Sequence, residues 1–177
     1  MHEICHAIGP RVVKVGPFKG SPVNNAIGPE YNALEEAKAD IAGLHSLIYL
    51  MDKKVIDRSR EKEYFVSYLG SLFRSIRFGL GEAHGKAAAI SLNYLVANGG
   101  ILYDASTKRW SIDFPNFRGG VEKLARELVM LEGDGDPAKV KEFFGRWITM
   151  TEPLSNSLAA VGDIAIDVLP KYSIRWE

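Results

Sequence analysis

The stretch EYNALEEAKADIAGLHSLIYLMD, residues 30–52, decides the fold because it predicts one long helix. Its apolar residues recur at steps of three and four, the spacing of a single buried helical face; they are Ala33, Ala37, Ile41, Leu44, Ile48 and Met51. Three acidic residues, Glu35, Glu36 and Asp40, lie in its N-terminal half, and the last two share a face because they are four residues apart. One interpretation is a solvated acidic helix start, which the helix dipole favours. The other is a metal ligand with supporting carboxylates.

The chain begins with Met1-His2-Glu3-Ile4-Cys5-His6, which contains the His-Glu-x-x-His pattern of a helical zinc site. On a helix His2 and His6 lie one above the other, so both imidazoles can bind one metal ion. Glu3 lies about 100° around the helix, which suits a general base that acts on a metal-activated water. Ordinary histidines on a short amphipathic helix are the alternative. Cys5 is a rival ligand, but we interpret it as a small buried residue.

Catalytic zinc usually has three protein ligands and one open position, so a third ligand must come from outside this motif. We predict Glu36 for this role, ahead of its neighbour Glu35. Asp40, one turn further along, is then placed to accept the other ring N–H of a ligand histidine, a contact that fixes the orientation of the imidazole.

The rest of the chain predicts a mainly α fold, with six or so helices and one small β-hairpin in a single domain, residues 1–177. Glycine and proline are dense in residues 10–30, which predicts a long irregular segment that lines a cleft. Further helical patterns cover residues 59–79, 84–98, 118–132, 137–149 and 153–168. The hairpin is predicted from Ile101–Tyr103 and Arg109–Ile112. Pro170 is expected to end the last helix, with a tail at residues 172–177. We expect His45, among apolar residues of the long helix, to be packed.

Composition excludes several classes of partner. Acidic and basic residues balance at 22 each, so no nucleic acid and no anionic membrane is expected as a partner. No apolar run reaches the roughly 18 residues of a transmembrane helix, and no signal peptide is visible. A single cysteine cannot form an internal disulfide, which fits a reducing compartment, and we expect a cytoplasmic protein.

Three ordered stretches are similar to one known family. They are HEICHAIGP from residue 2, SPVNNAIGPEYNALEEAKADIAGL from residue 21 and GEAHGKA from residue 81. Together they resemble the dipeptidyl-peptidase III family of zinc metallopeptidases, whose first motif most often has one residue more between its histidines. The resemblance implies zinc as cofactor. It also implies particular roles: His2, His6 and Glu36 as ligands, Glu3 as general base, and Glu35 and Asp40 as carboxylates that hold the ligand histidines.

The resemblance also gives His84 a role as a stabiliser of the transition state, because His84 occupies the histidine of the family's Glu-Ala-His motif. Without the resemblance, His84 is about as well explained as a structural residue at a helix start. The implied activity is the release of dipeptides from the N-termini of oligopeptide substrates.

In the family a substrate-binding lobe precedes the zinc motif, and here the motif starts at residue 2. We therefore expect a truncated catalytic region that is weakly active or inactive alone. Two alternatives remain open. One is a non-catalytic helical interaction module with an empty or structural metal site. The other is a hydrolase that acts on a non-peptide amide.

Overall fold

The computed structural model describes residues 1–168 and 170–173. The helices of this part are α1 (His2–Cys5), α2 (Val23–Ile27), α3 (Tyr31–Asp52), α4 (Glu61–Ile76), α5 (Ala83–Ala97), α6 (Phe114–Asp134), α7 (Pro137–Trp147) and α8 (Glu152–Ala159). The strands are β1 (Ile101–Asp104) and β2 (Arg109–Ile112), which form an antiparallel hairpin. The predicted fold class, mainly helical with one small hairpin, is confirmed.

Helix α3 lies at the centre of the molecule and contacts α1, α5 and α6. The apolar stripe predicted from its sequence is buried along its whole length. Helix α5 contacts α3, α4, α6 and α7. Its consecutive small residues Ala87, Ala88 and Ala89 point in different directions, and all three are buried. Helix α4 also packs against α5. Burial of these apolar faces, rather than intrinsic helix propensity, supplies most of the stability of such helices.

Residues 10–30 differ from the prediction. The segment includes α2 and an isolated bridge between Val12 and Pro22. Val13 is buried against the C-terminal end of α6, and the Lys14 N–H donates to the Gly133 carbonyl. The segment therefore packs on α6, because burial of its apolar side chains stabilises it there despite its many turn residues. The prediction that it lines a cleft was wrong, since none of its side chains lines either of the two clefts described below.

Two predicted helix boundaries were also wrong by four residues or more. Helix α6 starts four residues early, at Phe114, because the Asp113 side chain accepts a hydrogen bond from the Asn116 N–H and caps the helix. Helix α8 ends at Ala159 instead of residue 168. The apolar side chains beyond it, Ile164 and Val168, are 58% and 80% exposed, so a longer helix would have no core to pack against. Of the predicted tail, residues 174–177 lie outside the described part.

The described residues contain no helix that is both long enough and apolar enough to cross a bilayer.

Candidate metal centre

Three side chains converge beside the N-terminus of the chain: one from α1, one from the residue that follows α1, and one from α3. The Nε2 atoms of His2 and His6 are 3.1 Å apart. Glu36 Oε2 lies 3.1 Å from the first and 3.8 Å from the second. A tetrahedral zinc ion with bonds of about 2.0–2.2 Å separates its donor atoms by about 3.3–3.6 Å. The spacing observed in the structure therefore fits a single ion of this kind.

The other nitrogen of each imidazole contacts a carboxylate from α3. His2 Nδ1 is 2.6 Å from Asp40 Oδ1, and His6 Nδ1 is 2.8 Å from Glu35 Oε1. In a neutral imidazole the nitrogen beside a carboxylate carries the proton, so both Nε2 atoms present lone pairs. Glu36 Oε2, which they face, is buried and accepts no hydrogen bond among the described residues. Three lone-pair donors thus point at one another, an arrangement that a cation would stabilise.

The two supporting carboxylates have different environments. Burial raises the pKa of Asp40 above its ordinary value, although the neighbouring His2 acts in the opposite direction. Burial would also raise the pKa of Glu35, but hydrogen bonds with Glu132, Lys38 and His6 outweigh it, and the pKa is lowered. Glu35 is therefore ionised at neutral pH and attracts the proton of the His6 ring.

His84 lies at the edge of this cluster, in the first turn of α5. Its Nδ1 is 3.3 Å from Glu36 Oε2, and its side chain is 65% exposed. The position depends on Gly85, because a Cβ there would lie 2.0 Å from the Gly79 carbonyl oxygen. The structure brings His84 beside the three donor atoms with its ring open to solvent.

Glu3 is exposed, and within the described residues it makes no hydrogen bond or ion pair.

Cys5 is 1% exposed, as predicted, and its Sγ lies 4.0 Å from Ser46 Oγ, so it packs against α3. His45 was predicted to be packed, and this was wrong: it is exposed. It follows Leu44 of the buried stripe by one residue, which turns it about 100° away from the core.

Two clefts flank the cluster. One, of about 510 Å³, lies between α3 and α4 and includes His2, Asp40 and Tyr68 in its walls. The other, of about 540 Å³, includes Arg74 and His84. Space for a bound molecule therefore exists beside His2 and beside His84.

Sequence reasoning missed two residues behind the cluster. Lys38 on α3 and Glu132 on α6 are each 1% exposed. Lys38 Nζ is 2.6 Å from Glu35 Oε1. Lys38 follows Glu35 by three residues on the same helix, so their spacing could have indicated the contact. No sequence pattern could indicate Glu132, because only the packing of α6 on α3 brings it to Glu35.

Comparison with solved structures identifies the fold. The chain superposes on DPP III from Caldithrix abyssi with a TM-score of 0.90 and 30% identity, over 95% of this chain and 32% of that one. It matches dipeptidyl-peptidase III from Corallococcus sp. strain EGB with the same TM-score and 32% identity, over 96% of this chain and 31% of that one. The described chain therefore forms a dipeptidyl-peptidase III-like helical domain.

Among curated proteins, the chain is 35% identical to Nudix hydrolase 3 of Arabidopsis thaliana over 175 residues. The similarity covers 98% of this chain but 22% of that protein. No family model matches the sequence. The chain thus spans about a fifth of the curated relative and about a third of each solved structure.

Proposed function

We propose that this chain is the zinc-binding catalytic region of a metallopeptidase that releases dipeptides from the N-termini of oligopeptides. The observation that carries the proposal is the convergence of His2 Nε2, His6 Nε2 and Glu36 Oε2, which all lie within 4.8 Å of one another. Two imidazoles and one carboxylate form a donor set used by catalytic zinc in peptidases, whereas Mg²⁺ and Ca²⁺ prefer oxygen ligands alone.

When bound, zinc would polarise the scissile carbonyl and lower the pKa of a water molecule to about 7. The residues of the chain have separate tasks around it. Glu3 takes a proton from the attacking water and delivers it to the leaving amine. His84 donates a hydrogen bond to the carbonyl oxygen as negative charge develops there. Asp40 and Glu35 hold the ligand imidazoles in one tautomer.

The dipeptidyl-peptidase III-like fold supports peptide bonds as the substrate, and the clefts beside His2 and His84 are large enough for peptide side chains. On this proposal residues 1–177 act as one helical domain, and the N-terminus of the peptide is held by a lobe that precedes the zinc motif. Since reaction rate depends on a positioned substrate, peptidase activity should be far higher with that lobe present.

The decisive variant is Glu3→Gln. The amide cannot accept a proton, so hydrolysis of a dipeptidyl arylamide should be abolished in the longer protein, while zinc content stays at that of the unmodified protein. Metal analysis and the peptidase assay are made on the same sample. Glu63→Gln, which changes an exposed carboxylate on α4, is the matched control and should leave both unchanged. Full activity of the Glu3 variant would remove Glu3 from the mechanism.

The curated relative carries a different name, Nudix hydrolase 3, so a hydrolase that acts on another bond is the second candidate. Both comparisons support a hydrolase. Zinc stoichiometry followed by a substrate panel separates the candidates. A zinc-loaded protein that cleaves no peptide but hydrolyses another substrate would favour the second. A protein that is inactive on every substrate after zinc is added would favour a helical interaction module with a structural metal site.

A further inference from the structure

The side chain of Lys38 is buried beneath the candidate metal centre, where charged groups are rarely found without several partners. Its Nζ atom lies within hydrogen-bond distance of four oxygens, which share its three N–H donors. Three are main-chain carbonyls at the end of α1 and just beyond it: those of Cys5, His6 and Ile8, at 3.0, 3.4 and 2.7 Å. The fourth is Glu35 Oε1, at 2.6 Å.

These contacts hold both the main chain and the ring of His6. The main chain around His6 is held directly, because Nζ contacts the carbonyls of Cys5 and Ile8 on either side of it and, at 3.4 Å, that of His6 itself. The ring is held indirectly, because Glu35 Oε1 accepts from Lys38 and also lies 2.8 Å from His6 Nδ1. A helix of four residues has no intrahelical partners for its last carbonyl groups. The Ile8 N–H donates to the Cys5 carbonyl, and Lys38 adds a charged donor to that carbonyl and to those of His6 and Ile8.

The surrounding residues leave Lys38 no route to water. Gly9, four residues beyond the end of α1, adopts φ +107°, and a Cβ there would meet Glu132 Oε2 at 2.8 Å and the Cε atom of Lys38 at 3.9 Å. Glu132 closes the far side from α6. The ammonium group is thus fixed in place, and the carbonyls it contacts are fixed with it.

We propose that Lys38 is a positioning residue of the metal centre, which holds the His6 backbone and, through Glu35, the His6 ring in the geometry that binds a zinc-type divalent cation. The inference rests on the metal site of the proposed function and not on its peptidase chemistry. Groups that orient metal ligands typically change metal affinity or activity by 10–100-fold when they are removed.

The test measures Zn²⁺ affinity of the full 177-residue chain by competition with a chromophoric chelator, together with the visible absorption of Co²⁺ at the same site. Lys38→Met keeps the length of the side chain and removes its charge and donors. It should weaken Zn²⁺ binding by about 10–100-fold and change the Co²⁺ bands, which report ligand geometry. Lys123→Met removes an exposed lysine of α6 and should leave both unchanged.

Lys38→Arg provides the rescue, because guanidinium keeps the charge and donates several hydrogen bonds. It should recover at least half of the lost affinity on a logarithmic scale. A folded Lys38→Met protein with unchanged Zn²⁺ affinity, or a Lys38→Arg protein with no recovery, would overturn the proposal.

If Lys38→Met does not fold, as judged by circular dichroism, the proposal is tested by NMR on the unmodified chain. The ¹⁵N–¹H signal of the Lys38 ammonium group should exchange slowly with water and should shift when Zn²⁺ is added. A signal that does not respond to Zn²⁺ overturns the proposal. An unmodified chain that binds no Zn²⁺ overturns the metal centre and this inference together. One that binds Zn²⁺ but cleaves no peptide overturns the peptidase proposal alone.

Discussion

At the scale of single residues, Glu132 is unusual because its carboxyl group is buried and its pKa is raised. It is buried at 1% exposure, and its Oε1 atom has no hydrogen-bond partner among the described residues. Burial, together with the hydrogen bond to ionised Glu35, raises the pKa of Glu132 to about 9. Glu132 is therefore neutral at pH 7, which limits the charge buried behind the metal centre to the pair of Lys38 and Glu35.

This state of Glu132 gives the stability a specific pH dependence. Between the ordinary pKa of 4.5 and about 9, the folded chain holds a proton on Glu132 that the unfolded chain has released. Glu132 therefore contributes a fall in the free energy of unfolding as pH rises through this window, of at most about 1.4 kcal/mol per pH unit. Glu132→Gln keeps a donor toward Glu35 and cannot titrate, so this part of the decline should be missing.

The measurement is urea unfolding of the metal-free chain at pH 5.5, 7 and 8.5. Glu122→Gln, which alters an exposed carboxylate of the same helix, is the control and should follow the unmodified protein. Equal pH slopes for the Glu132 variant and the unmodified protein would mean that Glu132 is ionised in the folded state.

At the scale of elements, the start of α5 decides where His84 lies. The helix begins directly after a loop that contains Gly79 and Gly81, and the first turn of α5 touches this loop at Gly85. Because the obstructing atom is a backbone carbonyl oxygen, 2.0 Å from the position of a Cβ, a side chain at residue 85 can be accommodated only if the loop or the helix moves.

Gly85→Ala should therefore lower the free energy of unfolding by about 1–3 kcal/mol, the usual effect of overpacking. Gly81→Ala is the matched change in the same loop, where a Cβ meets no atom within 4 Å, and it should alter stability by no more than about 0.5 kcal/mol. Chemical denaturation of the two variants compares them directly. Equal free energies of unfolding would show that the loop moves to accommodate the Cβ without loss of stability.

At the scale of the whole molecule, the candidate metal centre joins the first turn of the chain to its central helix. A ligand that binds only the folded state stabilises it by about 2.7 kcal/mol when its concentration is 100 times its dissociation constant. For a chain of this size each 1 kcal/mol corresponds to about 2–4 °C in Tm. Zn²⁺ at that concentration should therefore raise Tm by about 5–10 °C.

A thermal melt followed by circular dichroism tests this expectation. The double variant His2→Ala, His6→Ala should show no rise with Zn²⁺, and Mg²⁺ should have little effect on the unmodified chain because it prefers oxygen ligands. A rise of the same size in the double variant would locate Zn²⁺ binding elsewhere in the molecule.

The sequence by itself determined the helices with a strong apolar period, the hairpin and the pairing of His2 with His6. These features depend on spacing within a few residues, which a single stretch of chain records. The direction of Glu36 toward the two imidazoles was also predictable, because Asp40 shares its helical face. The predicted roles of these residues in metal binding and catalysis stay predictions until metal and activity are measured.

Only the tertiary structure decided which buried groups support the site. It also decided how segments with a weak apolar pattern fold and where they pack. Lys38 meets carbonyls of α1, and Glu132 meets Glu35 from α6, through contacts between residues far apart in the chain. The packing of residues 10–30 on α6 and the end of α8 at Ala159 depend in the same way on which apolar surface is available. Local sequence specifies which face of a helix is apolar, but the partner of that face is set by the packing of the whole chain.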